Sequence, residues 1–218
     1  MSFGKIIAFS GLDGSGKSTQ IDLLKQYLSS KNIKTKYIWS RGGYTPLFNL
    51  AKSFARRLLG KKVAKPGRNN QREKQISKPL IAKVWLLIAM FDLFLLYGIY
   101  FRILRLFGYY IIADRYIWDT LIDFRLNFST HNIENWFTWK MTLFLIPNPS
   151  APIYLDIPLE ISLERLSKKD EPFPDSAEVL KNRLDNYNEL ITNDWFRVNA
   201  NDQIEVIHNN ILKAVNEN

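Results

Sequence analysis

The stretch that most constrains this chain is FSGLDGSGKSTQ, residues 9–20, which follows directly on the apolar run Lys5-Ile6-Ile7-Ala8-Phe9. Glycines at 11, 14 and 16 can take backbone conformations closed to other residues, and they leave successive amides uncovered. Such N–H groups converge on an anion at a helix N-terminus, where the helix dipole also favours negative charge. The spacing fits G-x-x-x-x-G-K-[ST], in which Lys17 reaches the β/γ-phosphates and the hydroxyl of Ser18 ligates Mg²⁺. An amphipathic run (Ile21, Leu23, Leu24, Tyr27, Leu28) supplies the helix that the loop needs. The stretch therefore predicts an ATP site with Mg²⁺, built from Gly11, Asp13, Gly14, Ser15, Gly16, Lys17, Ser18 and Thr19.

A strand–loop–helix opening sets the fold class, and the rest of the chain continues it. Strands are expected at 5–10, 35–39, 109–113, 152–156 and 195–198. Helices are expected at 17–30, 46–59, 79–107, 120–128, 135–145, 159–168, 176–191 and 202–216. That alternation predicts an α/β fold: three layers, an open sheet of about five parallel strands, and helices on both faces. A length of 218 residues suits one domain spanning 1–218. No cysteine is present, which excludes disulfides and thiol nucleophiles. His131 and His208 lie far apart and form no ligand spacing. The first apolar run is a short strand and not a signal peptide, so a cytoplasmic location is expected.

Charge is concentrated in one segment. Residues 52–78 hold ten Lys and Arg against Glu73 alone, which equals the whole formal excess of +9. This basic insert is read either as a solvated loop or as a contact for an anionic surface, nucleic acid or a membrane periphery. Phe54 is its only aromatic residue, which argues against stacking of single-stranded bases. The run 84–101 approaches the length of a membrane span. Its mid-run Asp92 and Gly98, and the need to deliver the chain into the next strand, point instead to a buried helix. A homodimer through the apolar helix at 80–107 is expected, with no transmembrane span.

Further chemistry clusters where strands end, the edge at which parallel sheets gather ligands. Asp114 closes YYIIAD and is placed to face Mg²⁺ or its waters, while Arg115 offers a fork for a phosphate. Arg41 and two glycines follow the second strand in WSRGGYTP. Arg165, Lys168 and Lys169 end a helix before a proline-rich loop, a cationic lid at 163–176 able to neutralise transferring phosphates.

In chain order, GLDGSGKSTQ, RGGYTP, ADRY and the lid with its following helix resemble the thymidylate kinase type of nucleoside monophosphate kinase. VNAND, which contains Asn199, resembles the segment that packs near adenine in that family. The resemblance covers 5–39 and 109–216. It implies that Asp13 contacts the acceptor, Lys17 and Ser18 the donor phosphates and Mg²⁺, and Asp114 the catalytic centre. Arg115 and Arg41 would hold the acceptor phosphate. Because Gly14 and Ser15 leave no arginine inside the loop, neutralisation falls to the lid residues Arg165 and Lys169, as in bacterial-type enzymes.

Three aspartates depart from that pattern. The stretch around Asp92 lacks the arginine that the family carries there. Asp119 and Asp123 follow Asp-Arg-Tyr where the family has serine and a tyrosine–glutamine pair. An acceptor pocket holding Asp92, Asp119 and Asp123 resembles a thymidylate kinase-like branch linked to surface-glycan synthesis. The expected reaction is phosphoryl transfer from ATP to a small-molecule monophosphate, dTMP by default. A kinase for a nucleoside or sugar hydroxyl is the alternative, and an ATP-regulated polyanion- or membrane-binding module is a second.

Overall fold

The computed structural model describes residues 3–40, 79–168 and 175–217. The expected helix at 46–59, the basic insert at 52–78, Arg41 and Lys169 lie outside the described residues.

Strands β1 (Ile6–Gly11), β2 (Thr35–Trp39), β3 (Tyr110–Asp114), β4 (Ala151–Asp156) and β5 (Phe196–Asn199) form one sheet. Its order is β2-β3-β1-β4-β5, and every pairing is parallel. β1 is central and buried throughout, as a strand covered on both faces must be. Ile6, Ile7, Ala8 and Phe9 pack with Ile111, Ile112 and Ala113 of β3 and with Ile153 and Leu155 of β4. The α/β class and the five-strand expectation both hold.

Helices α1 (Lys17–Ser30), α2 (Pro79–Leu106), α3 (Ile117–Asn127), α4 (Phe137–Leu145), α5 (Leu159–Ser167), α6 (Ala177–Leu190) and α7 (Ile204–Asn216), with two single 3-10 turns at Ser129–His131 and Ile133–Asn135, complete the described elements. α1 matches its expected bounds, because the glycine loop fixes where it starts. α3 begins three residues earlier than expected. Asp119 sits in its first turn and accepts from the N–H of Tyr116 at 2.9 Å, a reach-back cap that starts the helix sooner.

The contacts fall into two compact units. The first holds the sheet with α1, α5, α6 and α7, and its core continues into Ile21, Leu24, Ile207 and Ile211. The second comprises, among described residues, 79–100 and 123–147. Its centre is aromatic: Trp85 stacks on Phe128 with centroids 5.1 Å apart, and Phe124 meets Trp139 edge-on at 6.1 Å. Arg125 pairs there with Glu134.

α2 is long and apolar enough to cross a membrane by length and composition alone, and 39% of its most apolar 18-residue window is buried. Its turns widen to π geometry over Phe94–Tyr100. A Cβ on Gly98 would lie 2.8 Å from the ring of Phe94, so the glycine lets that ring lie across the helix.

Candidate functional site

A cleft of about 600 Å³ opens in the first unit at the carboxyl ends of β1, β2 and β3. Asp13, Gly14, Ser15, Gly16, Lys17, Ser18 and Thr19 line it from the glycine loop, and Asp114 and Arg115 from the end of β3. Arg165 and Lys168 close it from α5, and Ala200, Asp202 and Ile204 from the turn into α7. The loop's shape depends on glycine. Gly14 has φ +83°, and a Cβ there would sit 3.0 Å from the carbonyl of Ser162. The Ser162 hydroxyl in turn donates to the carbonyl of Asp13 at 2.7 Å, which ties the loop to α5.

Lys17 is buried and folds back on its own loop. Its Nζ donates to the carbonyls of Gly11 (2.8 Å) and Leu12 (2.7 Å) and stands 4.0 Å from Asp13 Oδ1. Burial pushes its pKa down to about 8, assisted by the Arg115 charge and opposed by Asp13, Asp114 and Asp119. Arg115 is equally buried and donates to Asp13 Oδ1 at 2.6 Å. Its φ of +76° is a left-handed conformation that is costly for a side chain of this size. That backbone turn sends the guanidinium to the loop.

Asp114 presents one oxygen, Oδ2, to the hydroxyl of Tyr37 at 2.9 Å. Arg165 donates to the carbonyls of Gly14 (3.3 Å) and Ala200 (3.2 Å), so it spans from the loop to the turn after β5. Gln20 donates to the carbonyl of Ile204 at 3.0 Å and fixes α1 to the start of α7.

One sequence expectation needs correction. Asp119 does not line the cleft. It is 1% exposed, and its carboxylate accepts from Ser10 Oγ (2.5 Å), Tyr187 Oη (2.6 Å) and the Tyr116 N–H (2.9 Å). Three donors converge on it, so it serves the fold beneath the loop. Asn199 stands beside the cleft: it accepts from the Asn201 N–H, donates to Asp202, and lines a neighbouring hollow with Asp156 and Arg197. Ala200 and Asp202, next to it, line the cleft itself. Asp92 and Asp123 are buried; Asp92 lies in the second unit, and Asp123 begins that unit's second segment.

Sequence reading missed Tyr37, Trp39, Gln20 and Tyr187. Gln20 closes GLDGSGKSTQ and Trp39 opens WSRGGYTP, so both stood inside quoted motifs without a role, whereas Tyr37 and Tyr187 lie in no motif and only tertiary pairing reveals them.

Among the described residues no group of three or more His, Asp or Glu side chains forms a metal cage. Mg²⁺ in nucleotide sites needs none, since one or two protein ligands and the substrate phosphates suffice. Ser18 and Asp114 line the same cleft and fit that pattern.

A parallel sheet of this order, with a glycine loop, a buried lysine and converging arginines at its carboxyl edge, defines a P-loop phosphotransferase. The family model described as "Thymidylate kinase" matches residues 104–211. The chain is 32% identical over 166 residues to the thymidylate kinase of Thermosipho africanus, covering 75% of this chain and 72% of that one. It is 26% identical over 214 residues to that of Plasmodium falciparum, covering 97% and 90%. Among solved structures, thymidylate kinase from Candida albicans superposes with a TM-score of 0.62 at 19% identity, covering 100% and 93%. Deoxyadenosine kinase from M. mycoides gives 0.57 at 17%, covering 97% and 99%. The chain belongs to the thymidylate kinase family. It is a nucleoside monophosphate kinase that takes ATP as phosphoryl donor and a small nucleotide as acceptor.

Proposed function

We propose that this chain phosphorylates dTMP. The observation that carries the reading is the buried Arg115 guanidinium paired with the half-buried Asp13 beside Lys17, in a chain 32% identical to a thymidylate kinase. Phosphoryl transfer asks little covalent work of a protein, so positioning and neutralisation dominate. Lys17 leaves its loop carbonyls for the donor phosphates. Arg115, already preorganised by its backbone, exchanges Asp13 for the acceptor phosphate, and Arg41 is assigned the same task. Arg165 faces charge developing on the transferring group, and Lys169 is assigned the same task. Ser18 and Asp114 would hold Mg²⁺, which supplies neutralisation of the phosphate oxygens.

The alternative of a sugar or nucleoside hydroxyl acceptor rested on three pocket aspartates, and Asp119 no longer supports it. We read residues 1–218 as one kinase domain with a lid at 163–176, working in the cytoplasm as a homodimer through α2. A coupled assay across nucleoside monophosphates, nucleosides and phosphosugars tests the substrate. We expect dTMP to lead, with kcat/KM above roughly 10⁴ M⁻¹s⁻¹. A hydroxyl acceptor turned over faster than dTMP overturns the assignment.

A further inference from the structure

We infer that Tyr37 is a positioning residue for phosphoryl transfer: its hydroxyl holds the carboxylate of Asp114 in one orientation, and the P-loop helix holds Tyr37. The inference rests on the assignment of Asp114 to the reacting site.

The geometry is a three-part strut. β2 pairs with β3 so that Trp39 stands opposite Asp114 and Tyr37 opposite Ile112. Tyr37 therefore lies one diagonal step from Asp114, on the face it shares with Trp39, which lines the cleft. Its hydroxyl crosses that diagonal to Asp114 Oδ2 at 2.9 Å. On the other side Lys25 Nζ, from α1, lies 4.0 Å from the centroid of the tyrosine ring. Lys25 is itself held 3.0 Å from Asp22 on the same helix. The strut thus runs from the helix that follows the glycine loop to the carboxylate at the end of β3.

Its chemistry suits a carboxylate that must serve a cation. Asp114 is buried and needs a donor. A guanidinium would neutralise it and compete with Mg²⁺. A phenol fixes one oxygen and leaves the net charge in place. Tyr37 is 42% exposed, so filling a core does not account for a large aromatic there. Outer partners of this kind orient ligands and tune them without touching substrate.

The test compares Tyr37→Phe, Asp114→Asn and the double variant with the unaltered chain. Phenylalanine keeps the ring under Lys25 and removes only the hydroxyl. For Tyr37→Phe we expect kcat to fall about tenfold while KM for ATP stays within about twofold. In the Asp114→Asn background the same change should cost less than about twofold, because the oxygen it fixes is gone. A second readout needs no acceptor: Mn²⁺ titration of the ATP complex by electron paramagnetic resonance, where Tyr37→Phe should weaken binding by about threefold or more. Unchanged kcat and Mn²⁺ affinity, or an equal loss in both backgrounds, overturns the inference. If the unaltered chain turns over no monophosphate, the assigned reaction fails, and the Mn²⁺ titration still decides the role of Tyr37.

Discussion

At Lys17 the ammonium donates to two carbonyls of its own loop, and burial lowers its pKa from 10.5 to about 8. The unfolded chain holds that proton up to about pH 10.5. Folding therefore carries a penalty that is full below about pH 8 and vanishes as pH rises toward 10.5. Bound phosphates reverse the balance by favouring the charged form. Metal-free ATP binding should accordingly take up a fraction of a proton at pH 9 and almost none at pH 6.5. Calorimetry in two buffers of different ionisation heat measures this, and equal uptake at both pH values contradicts it. Lys17→Ala removes the penalty together with the charge, so it should melt no lower than the unaltered chain. Its turnover should drop on the order of a hundredfold or more. Near-normal turnover would reject the kinase reading. Arg115 adds a test of backbone strain. Arg115→Gly and Arg115→Ala both lose the ion pair to Asp13, but only glycine accepts φ +76° freely. The glycine variant should be the more stable of the two by about 1 kcal/mol in urea titrations. The motif GLDGSGKST showed Lys17 in the sequence because its chemistry is written in contiguous residues. The strain at Arg115 was invisible there, since it arises from where β3 ends against β1.

Among the elements, α3 shows how a residue can be read for the wrong task. Asp119 stood in the sequence as an acidic departure in an acceptor pocket, and in the fold it joins three elements. Through Ser10 it touches β1, through the Tyr116 N–H it caps α3, and through the Tyr187 hydroxyl it reaches α6. Burial and the adjacent carboxylate push the Tyr187 hydroxyl well above the usual phenol range, so it stays a donor. Asp119→Ala would strand three donors in the core and should cost about 3 kcal/mol or more in denaturant titrations. Asp119→Asn keeps part of the acceptor capacity and should cost less. A stable Asp119→Ala variant with only its acceptor KM raised would return Asp119 to the pocket. Sequence pattern located every described strand and α-helix, because the 2.0 and 3.6 residue periods are local; the two single 3-10 turns at Ser129–His131 and Ile133–Asn135 have no such period and were missed. It misjudged the start of α3, since a cap made by a tyrosine N–H and a buried aspartate has no recognisable signature. The widened turn at Phe94–Tyr100 was likewise hidden, as it depends on where one phenylalanine ring falls over Gly98.

For the whole molecule, the parallel sheet was legible from the alternation of strands and helices, but its order was not, because crossovers leave no mark in composition. The division of contacts into two units escaped for the same reason. The apolar run at 84–101, read in the sequence as a buried helix, leaves much of its surface exposed on α2. Leu80, Val84, Leu87, Ile88 and Phe91 fall at helical spacing on one stripe, and Phe91 is 61% exposed. In α4, Phe137 and Phe144 are 76% and 81% exposed. Solvated apolar stripes of this size are costly and mark interaction surfaces. A second copy of the chain is the occupant we assign, since two equal apolar stripes bury each other about a two-fold axis. Sedimentation equilibrium should then give twice the 25.5 kDa chain mass, and Val84→Glu with Phe91→Glu should return it to one. Two buried glutamates facing their copies across the axis supply both desolvation and repulsion, so even a tight dimer should dissociate at micromolar concentration. Neutralising Lys61, Lys62, Lys65 and Arg68 should leave that dimer and its turnover intact while weakening salt-dependent binding to anionic liposomes or DNA. A chain that is monomeric at tens of micromolar, and that binds anionic liposomes less well after Phe91→Glu, would assign the stripe to a membrane surface and overturn the dimer.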